Sequence, residues 1–467
     1  MAGLRDAPGL RWLGHRGAYT VGTMVVTCLS VGTTLLAPRL LGPVAFGTFT
    51  LLTSLFQYAS KADLGLSQLA DKKLTLGNGA EADCAADILR GRLVIGATVL
   101  CACVPIAVAI ALTTRKLAAP DTALALAAGG AFMIANGPVT VFRASSMIWE
   151  FTAAALLLQA GLTAPRLAGL AAAGVTGCFG VLALWYAGLA ALLCRSVTAR
   201  AARPAPTLQL LRLSLPLFAF NCLWEIYLSA NRWISAGLSS AEDLGLFAFG
   251  ANLAFTGIGM LGTIAQVRYP RLLAQISAGS PGSCSGSVER EALRLCLILT
   301  AGAAVAILAT HPMIQLLFPR FENATPATIA LAVSCVPLSA VASSLPIVIP
   351  LSSRPWADAT RIFLPSLLIL FGAMAAANWI AGIAGQGWAC TAAGLALIVS
   401  LVALMRRLGI VKRGAAFRIV VFHSVAIAVL ALLAFAVAPA AAEIENMPAG
   451  WKLTFADSFK SLQKMGD

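Results

Sequence analysis

Charged residues are scarce in this chain, where Asp, Glu, Lys and Arg together make up 11% of the sequence. Soluble domains carry roughly 25%, so a fold solvated mainly by water is excluded. Hydrophobic residues make up 59% of the chain, and its mean hydropathy is +0.86. Apolar segments run from Ala18 to about Pro439 without an intervening hydrophilic domain. The sequence therefore predicts an integral membrane protein.

Residues that build metal and catalytic sites are also few. The three histidines are isolated, and the eleven cysteines are scattered without a pair at metal-ligand spacing. No phosphate loop, zinc helix or dinucleotide fingerprint is present. The loops predicted on the outer side are short, which disfavours a membrane glycosyltransferase or polymerase that must hold an acceptor. We predict that the chain is not an enzyme and needs no cofactor or metal.

The apolar segments each have the length of a membrane-spanning helix, roughly 20 residues. They are too long for strands, and open strands would leave backbone groups unsatisfied in lipid. We predict an all-α integral membrane protein with about 13 transmembrane helices, within a range of roughly 12 to 14. The predicted spans are 18–37, 44–62, 90–113, 121–142, 146–164, 167–193, 210–237, 244–265, 290–309, 326–349, 361–382, 386–405 and 417–439.

Positive charge is distributed unevenly between the two predicted faces of the membrane. The formal net charge is +14, and most of the 33 Lys and Arg residues fall in alternate loops when the N-terminus is cytoplasmic. Such an excess marks cytoplasmic loops, so we predict a cytoplasmic N-terminus. Lys116 and Arg166 are among the few cations assigned to outer loops. No aromatic and basic patch accompanies the charge, so nucleic acid is not an expected partner.

A short sequence pattern occurs twice, 198 residues apart. Leu41-Gly42-Pro43-Val44-Ala45-Phe46-Gly47-Thr48-Phe49 lies between the first and second spans, and Ser239-Ser240-Ala241-Glu242-Asp243-Leu244-Gly245-Leu246-Phe247 lies between the seventh and eighth. Both are short outer turns that lead into a helix start of the form [Phe/Leu]-Gly-x-Phe. With six spans in each half, the pattern predicts two lobes of the same orientation, related by a parallel repeat. The predicted division is an N-terminal lobe at 1–194, a basic cytoplasmic linker at 195–209, a C-terminal lobe at 210–407, and an extra transmembrane helix with a tail at 408–467.

The seventh span carries two ionisable residues, Glu225 and Arg232. A charge at the centre of a transmembrane helix costs roughly 2.5–3.5 kcal/mol on insertion scales, so such residues usually have a function. Their spacing of seven places them about 10 Å apart along one helix face. Asn221 and Asn231 add polarity to the same helix. We predict that this face lines a cavity between the lobes; alternatively, Glu225 pairs with a cation on a neighbouring helix and only holds the bundle.

Four further charged residues are weaker candidates. Glu150 follows a tryptophan near one end of the fifth span. Lys61 and Asp63 lie at the inner end of the second span, and Arg39 lies at the outer end of the first. Charged side chains at helix ends often reach the membrane interface without any further role, so these positions are compatible with either interpretation.

Three motifs together resemble a known family. They are Leu40-Leu41-Gly42-Pro43-x-x-Phe46-Gly47, Ala62-Asp63-Leu64-Gly65-Leu66-Ser67, and Ser229-Ala230-Asn231-Arg232-Trp233-Ile234. In this order they resemble bacterial polysaccharide and O-antigen flippases, a branch of the multidrug/oligosaccharidyl-lipid/polysaccharide exporter superfamily. The resemblance covers most of residues 18–405. The family commonly has Ala-Asp-Arg at the third motif, so Asn231 replaces an acidic residue.

The resemblance implies a flippase of the bacterial inner membrane that moves an undecaprenyl-diphosphate oligosaccharide between leaflets by alternating access. Its partners would be the lipid-linked glycan, membrane lipids, and a polysaccharide polymerase or glycosyltransferase of the same pathway. Arg232 is then the best candidate to meet the diphosphate, and Arg39 and Lys61 are secondary. Two alternatives stay open: a multidrug or small-cation exporter, which Glu225 would suit, and a peptidoglycan-precursor flippase.

Overall fold

The computed structural model describes residues 16–70, 81–114, 116–144, 147–198, 207–258 and 284–445. All regular structure in these residues is helical. A short 3-10 helix, Pro319–Ala324, precedes α9. The α-helices are α1 (Arg16–Lys61), α2 (Glu81–Thr114), α3 (Ala119–Ala144), α4 (Ile148–Ala160), α5 (Ala164–Thr198), α6 (Thr207–Leu238), α7 (241–258), α8 (Ser285–Leu317), α9 (Thr325–Leu351), α10 (Pro355–Arg407) and α11 (Arg413–Glu445).

Helices α5 and α10 each contain a reversal that separates two membrane crossings. As a straight rod, the 53 residues of α10 would extend about 80 Å, far beyond a bilayer core of about 30 Å. The chain reverses at Gly174 (φ 60°) and at Gly382 (φ 55°). The two arms of α5 on either side of Gly174 touch so closely that a Cβ on Gly169 would lie 2.5 Å from the Gly177 carbonyl oxygen. Only glycine adopts these backbone angles and spacings without strain.

Helix α1 also reverses, at Gly42 (φ 69°). Thr33 before the turn bonds the Leu162 carbonyl, and Phe49 after it lies under Arg166, so both arms lie beside one region of the N-terminal lobe. By length and composition, nine helical stretches of the described residues could span a membrane. Counted with the three reversals, and with α4 and the short first arm of α5 taken together as one crossing, the described residues form thirteen helical crossings, which fits the predicted fold class.

One predicted boundary is wrong. The sequence placed a break between the fifth and sixth spans near Pro165, but the chain turns at Ala173 and Gly174. Pro165 lies in the first turn of α5, where a missing N–H removes no helical hydrogen bond. Arg166, expected in an outer loop, is therefore part of a helix, where its guanidinium lies 5.0 Å from the centre of the Phe49 ring.

The parallel repeat is visible in the backbone. The reversals at Gly174 and Gly382, 208 residues apart, have nearly identical angles, with ψ of −140° at both. Gly47 and Gly245, from the repeated sequence pattern, meet at the contact between the lobes, where a Cβ on Gly47 would lie 3.0 Å from the Gly245 nitrogen. The exact lobe boundaries stay a prediction. Residues 199–206 of the linker and 446–467 of the tail lie outside the described residues.

The lobes touch near both ends of the bundle, which we name inner and outer from the predicted topology. At the outer end, Phe46 of α1 packs on Phe249 of α7 and on Phe321, with ring centres 6.5 and 5.9 Å apart. At the inner end, Gly65 (φ 86°) lies against Ser214 of α6, so a Cβ there would be 3.0 Å from the Ser214 carbonyl carbon. Polar residues lie between these two closures.

Candidate functional site

The second arm of α1 and helix α6 form a row of polar contacts between the lobes, which we call the lobe seam. Three pairs make it up, namely Ser54 with Arg232 at 3.5 Å, the hydroxyls of Tyr58 and Ser229, and Lys61 with Glu225 at 3.8 Å. Residue numbers rise along α1 while they fall along α6, so the two helices are antiparallel. Spacings of three and four residues keep each set on one helix face. Helix geometry thus places the predicted pair Glu225 and Arg232 on the side facing the other lobe.

Arg232 is buried in the seam, and none of the residues that the structure describes gives it an acidic partner. Its side chain donates to Asn252 Oδ1 at 3.0 Å and to Ser54, and it lies 5.7 Å from the centre of the Phe255 ring. The residue is 6% exposed, and its Nε has no hydrogen-bond partner in the described part of the chain. Within that part, no carboxylate lies within ion-pair distance of the guanidinium. Burial of a cation among neutral groups is costly, because its charge lacks a counter-charge.

Lys61 and Glu225 form the ion pair that lies closest to the inner end of the seam. The nitrogen–oxygen distance is 3.8 Å, and the two side chains are 53% and 17% exposed. Exposed pairs of this kind contribute roughly 0–1 kcal/mol. The pair joins two lobes, so Glu225 does hold a neighbouring helix, as one interpretation of the sequence expects. Its small energy also makes it easy to separate.

Asp63 is outside the seam and belongs to a buried network of the N-terminal lobe. Arg92 Nη2 lies 2.5 Å from Asp63 Oδ2 and also contacts Ser67, while Arg92 Nη1 donates to Thr140 at 3.2 Å. Asp63 also accepts from the backbone N–H of Gly65 at 3.1 Å. Burial opposes ionisation of Asp63, but the Arg92 charge and these hydrogen bonds hold its pKa below the usual value. This arrangement suits a structural role.

The remaining predicted site residues are not brought together. Asn231 is buried in the C-terminal lobe, where its amide faces Cys390 of α10 at 3.9 Å. Asn221 is half-buried one turn before Glu225 on α6. Glu150 is half-buried in the first turn of α4, and Arg39 is exposed just before the reversal of α1 at Gly42. Their membership in a substrate site stays a prediction.

Several neutral oxygens in the C-terminal lobe are buried without a hydrogen-bond partner in the described part of the chain. Gln386 Nε2 donates to Ser239 at 2.8 Å and to Asn378 at 2.7 Å. Its Oε1 is buried without a partner, as are Asn231 Oδ1, Ser235 Oγ and Thr391 Oγ1. Acidic, histidine and cysteine side chains of the described residues form no group of three that could hold a metal.

Sequence reasoning missed several residues that contribute to these networks. Arg92 lies in the Arg90-Gly91-Arg92 run, which resembles a cytoplasmic helix start, yet it is 2% exposed. Tyr58 and Ser229 are ordinary residues of apolar spans, so nothing in their spacing identifies them. Asn252 could have been found from the sequence, because an amide side chain within a predicted span is uncommon. It lies 20 residues after Arg232, whose guanidinium donates to it.

A cavity of about 480 Å³ opens at the outer end of the C-terminal lobe. Its lining includes Glu242 and Asp243 of α7, Asn323 of the 3-10 helix, and Gly382 at the reversal of α10. None of the predicted site residues lines it. The lobe seam, which contains the charged residues predicted within a span, is therefore the stronger candidate for a functional site.

Known structures share this architecture, although no family model and no curated protein matches the sequence. The lipid II flippase MurJ in an inward closed conformation has 11% identity and a TM-score of 0.60, over 91% of this chain and 98% of that one. MATE in complex with MaL6 has 14% identity and a TM-score of 0.62, over 86% and 99%. The MATE multidrug transporter DinF-BH has 16% identity and a TM-score of 0.55, over 89% and 98%. This multi-pass membrane protein therefore shares the fold of the MurJ and MATE transporters.

Proposed function

We propose that this chain is a flippase for a lipid-linked oligosaccharide diphosphate of a surface or exported polysaccharide. The observation that carries the proposal is Arg232, a buried guanidinium at the lobe seam without a carboxylate partner in the described chain. A guanidinium offers a planar fork of donors that matches phosphate oxygens. An uncompensated intramembrane charge is expensive, and a transported diphosphate would supply the missing counter-charge.

The order of the two seam cations supports an inward-to-outward path for the proposed substrate. Lys61 is half-exposed at the inner end, and Arg232 lies about two helical turns deeper, roughly 10 Å along α6. A diphosphate entering from the cytoplasmic leaflet would meet Lys61 first and Arg232 second. The lobes would then separate at the outer end, where Phe46, Phe249 and Phe321 now pack together. The expected setting is the bacterial inner membrane, together with a polymerase or glycosyltransferase of the same pathway.

Two alternatives remain within the same fold. A peptidoglycan-precursor flippase, the class suggested by the lipid II flippase MurJ, would also use Arg232, because its substrate carries a diphosphate as well. A multidrug or small-cation exporter, the class suggested by the multidrug transporter DinF-BH, would need a free acidic residue. Glu225 is the seam carboxylate available for that role, and it is engaged by Lys61. The anionic substrate is therefore favoured.

The first test is deletion of the gene followed by extraction of membrane lipids and surface glycan. We expect surface polysaccharide to be lost and a lipid-linked oligosaccharide to accumulate on the inner side. Accumulation of lipid-linked peptidoglycan precursor would support the second flippase alternative. Unchanged glycans with greater sensitivity to cationic drugs would refute the proposal in favour of the exporter.

Complementation of that deletion tests the residue. We expect Arg232→Gln to abolish export at a normal protein level, since it removes the anion site, and Arg232→Lys to retain part of the activity. Arg361→Gln is the matched control, because Arg361 is 54% exposed and paired with Asp358 away from the seam. Full export by Arg232→Gln would contradict the proposal.

A further inference from the structure

We infer that Glu225 is an internal substitute for the substrate anion: it occupies Lys61 while the lobe seam is closed, and an incoming diphosphate displaces it and thereby opens the inner part of the seam. This inference rests on the proposed function and deepens it. It assigns Glu225 the role of a positioning residue that links anion binding to lobe separation, in place of an ion-coupling role.

Accessibility identifies the first point of contact. Lys61 is 53% exposed, whereas Arg232 is 6% exposed and enclosed by Ser54, Asn252 and Phe255. An anion approaching the closed seam can therefore reach Lys61 but cannot reach Arg232. For Arg232 to bind the anion, the contacts between α1 and α6 must first separate.

The chemistry of the pair favours displacement. Asp63, two residues from Lys61, is held by Arg92, so Glu225 is the carboxylate that engages Lys61 in the described part of the chain. The 3.8 Å separation is an ion-pair contact without a hydrogen bond. A diphosphate carries more charge than one carboxylate and accepts hydrogen bonds through several oxygens. It would therefore outcompete Glu225 for the Lys61 ammonium.

Loss of this pair would weaken the closed seam. The other two pairs are the hydroxyls of Tyr58 and Ser229 and a 3.5 Å contact between Arg232 and Ser54, so Lys61 with Glu225 is the charged pair of the three. Its separation would leave the seam without an ion pair, so that hydrogen bonds to the neutral side chains Ser54, Tyr58 and Ser229 alone would join the lobes there. Anionic ligands, but not neutral or cationic ones, would then trigger opening.

A second ion pair shows what a purely structural pair looks like here. Arg418 of α11 and Glu289 of α8 make two hydrogen bonds, one of them 2.8 Å long. Their exposures, 62% and 12%, are close to those of Lys61 and Glu225. Both residues lie on helices that pack outside the seam. Glu289→Gln is therefore a control that removes an equally exposed carboxylate without touching the contact between the lobes.

The experiment measures opening at Ser229, which is 2% exposed in the closed seam. Full-length protein carrying Ser229→Cys is placed in nanodiscs and treated with a membrane-impermeant thiosulfonate, and modification of that peptide is quantified by mass spectrometry. The probes are inorganic pyrophosphate, farnesyl diphosphate and farnesol. We expect both diphosphates to accelerate modification and neutral farnesol to have no effect.

Two substitutions distinguish displacement of Glu225 by an anion from an ion pair that only stabilises the contact between the lobes. Glu225→Gln should accelerate modification without any probe and tighten pyrophosphate binding roughly 1.5- to 5-fold, the range that corresponds to an exposed ion pair. Lys61→Gln should also accelerate modification but weaken pyrophosphate binding. Glu289→Gln should change neither. A pair that only braces the lobes would accelerate modification in both seam variants and leave pyrophosphate affinity equal.

The outcomes distinguish this inference from the proposed function. If the diphosphates bind in a manner that needs Arg232, but Glu225→Gln alters neither modification nor affinity, the displacement role is wrong and the flippase proposal stands. If neither diphosphate binds the unmodified protein and Arg232→Gln supports export, both are wrong.

Discussion

Arg92 and Arg232 are both buried arginines, but their surroundings differ. Arg92 faces a carboxylate, Asp63, at 2.5 Å within one lobe. Arg232 lies between the lobes and is bonded to neutral groups, Asn252 and Ser54. A compensated charge can be buried at a tolerable cost, whereas an uncompensated one is expensive. Counter-charge, more than burial, distinguishes the two arginines, and the proposed anion-binding role of Arg232 rests on this difference.

We predict that Asp63→Asn destabilises the protein by roughly 3–5 kcal/mol, because it leaves the Arg92 charge buried without a partner. The measurement is thermal unfolding in detergent, followed by fluorescence. Lys61→Gln is the control and should cost no more than about 1 kcal/mol, since its pair is half-exposed. The double variant Asp63→Asn/Arg92→Met should recover much of the loss. Equal melting temperatures for Asp63→Asn and Lys61→Gln would contradict this account.

At the scale of elements, glycines determine how closely the lobes approach. Gly245 lies in the second turn of α7, in the C-terminal lobe, directly against Pro43 of the other lobe. A Cβ at Gly245 would stand 2.5 Å from the Pro43 carbonyl carbon. Such a contact is shorter than van der Waals packing allows, so the backbones must separate to admit even one methyl group.

We predict that Gly245→Ala reduces export about tenfold or more at a normal protein level, because overpacking costs roughly 1–3 kcal/mol in the arrangement with the outer end closed. The measurement is complementation of the deletion strain together with quantification of the protein in membranes. Gly237→Ala is the matched control on the neighbouring helix, since no atom lies within 4 Å of a Cβ built there. Normal export by Gly245→Ala would show that the close approach is dispensable.

At the scale of the whole molecule, every second connection between consecutive crossings lies at the same end of the bundle. Gly42 lies near Arg320, and Lys116 donates to the carbonyl oxygens of Ala236 and Ser239, the latter at 3.1 Å. These contacts join turns that the sequence assigns to the outer side. The structure thus supports the alternation of crossings, and which end faces the cytoplasm remains a prediction from the charges.

We predict that a single cysteine placed within 195–209 is protected from an impermeant thiol reagent in intact cells and reacts after lysis. Ser240→Cys, on the exposed turn before α7, should react in intact cells. The measurement is mass-tag labelling of both variants in parallel. The opposite pattern would invert the topology, and with it the direction of transport.

Much of the fold was predictable because length and apolar composition are local properties. Thirteen spans follow from runs of about 20 residues, and the parallel repeat follows from the pattern around Gly47 and Gly245. The turn between the fifth and sixth spans was not predictable in this way. Pro165 resembles a break, whereas Gly174 lies within an apolar run and becomes a turn because two arms pack at glycine distance.

The sequence by itself determined that lipid is the solvent, that the chain is helical, and that Glu225 and Arg232 share one face of α6, because burial cost and helical period act within a segment. Tertiary structure alone decided which charges are neutralised. Asp63 meets Arg92 and Glu225 meets Lys61 across 29 and 164 residues of chain, while Arg232 meets no acid in the described residues. Such pairings depend on how distant helices pack, which no local pattern encodes.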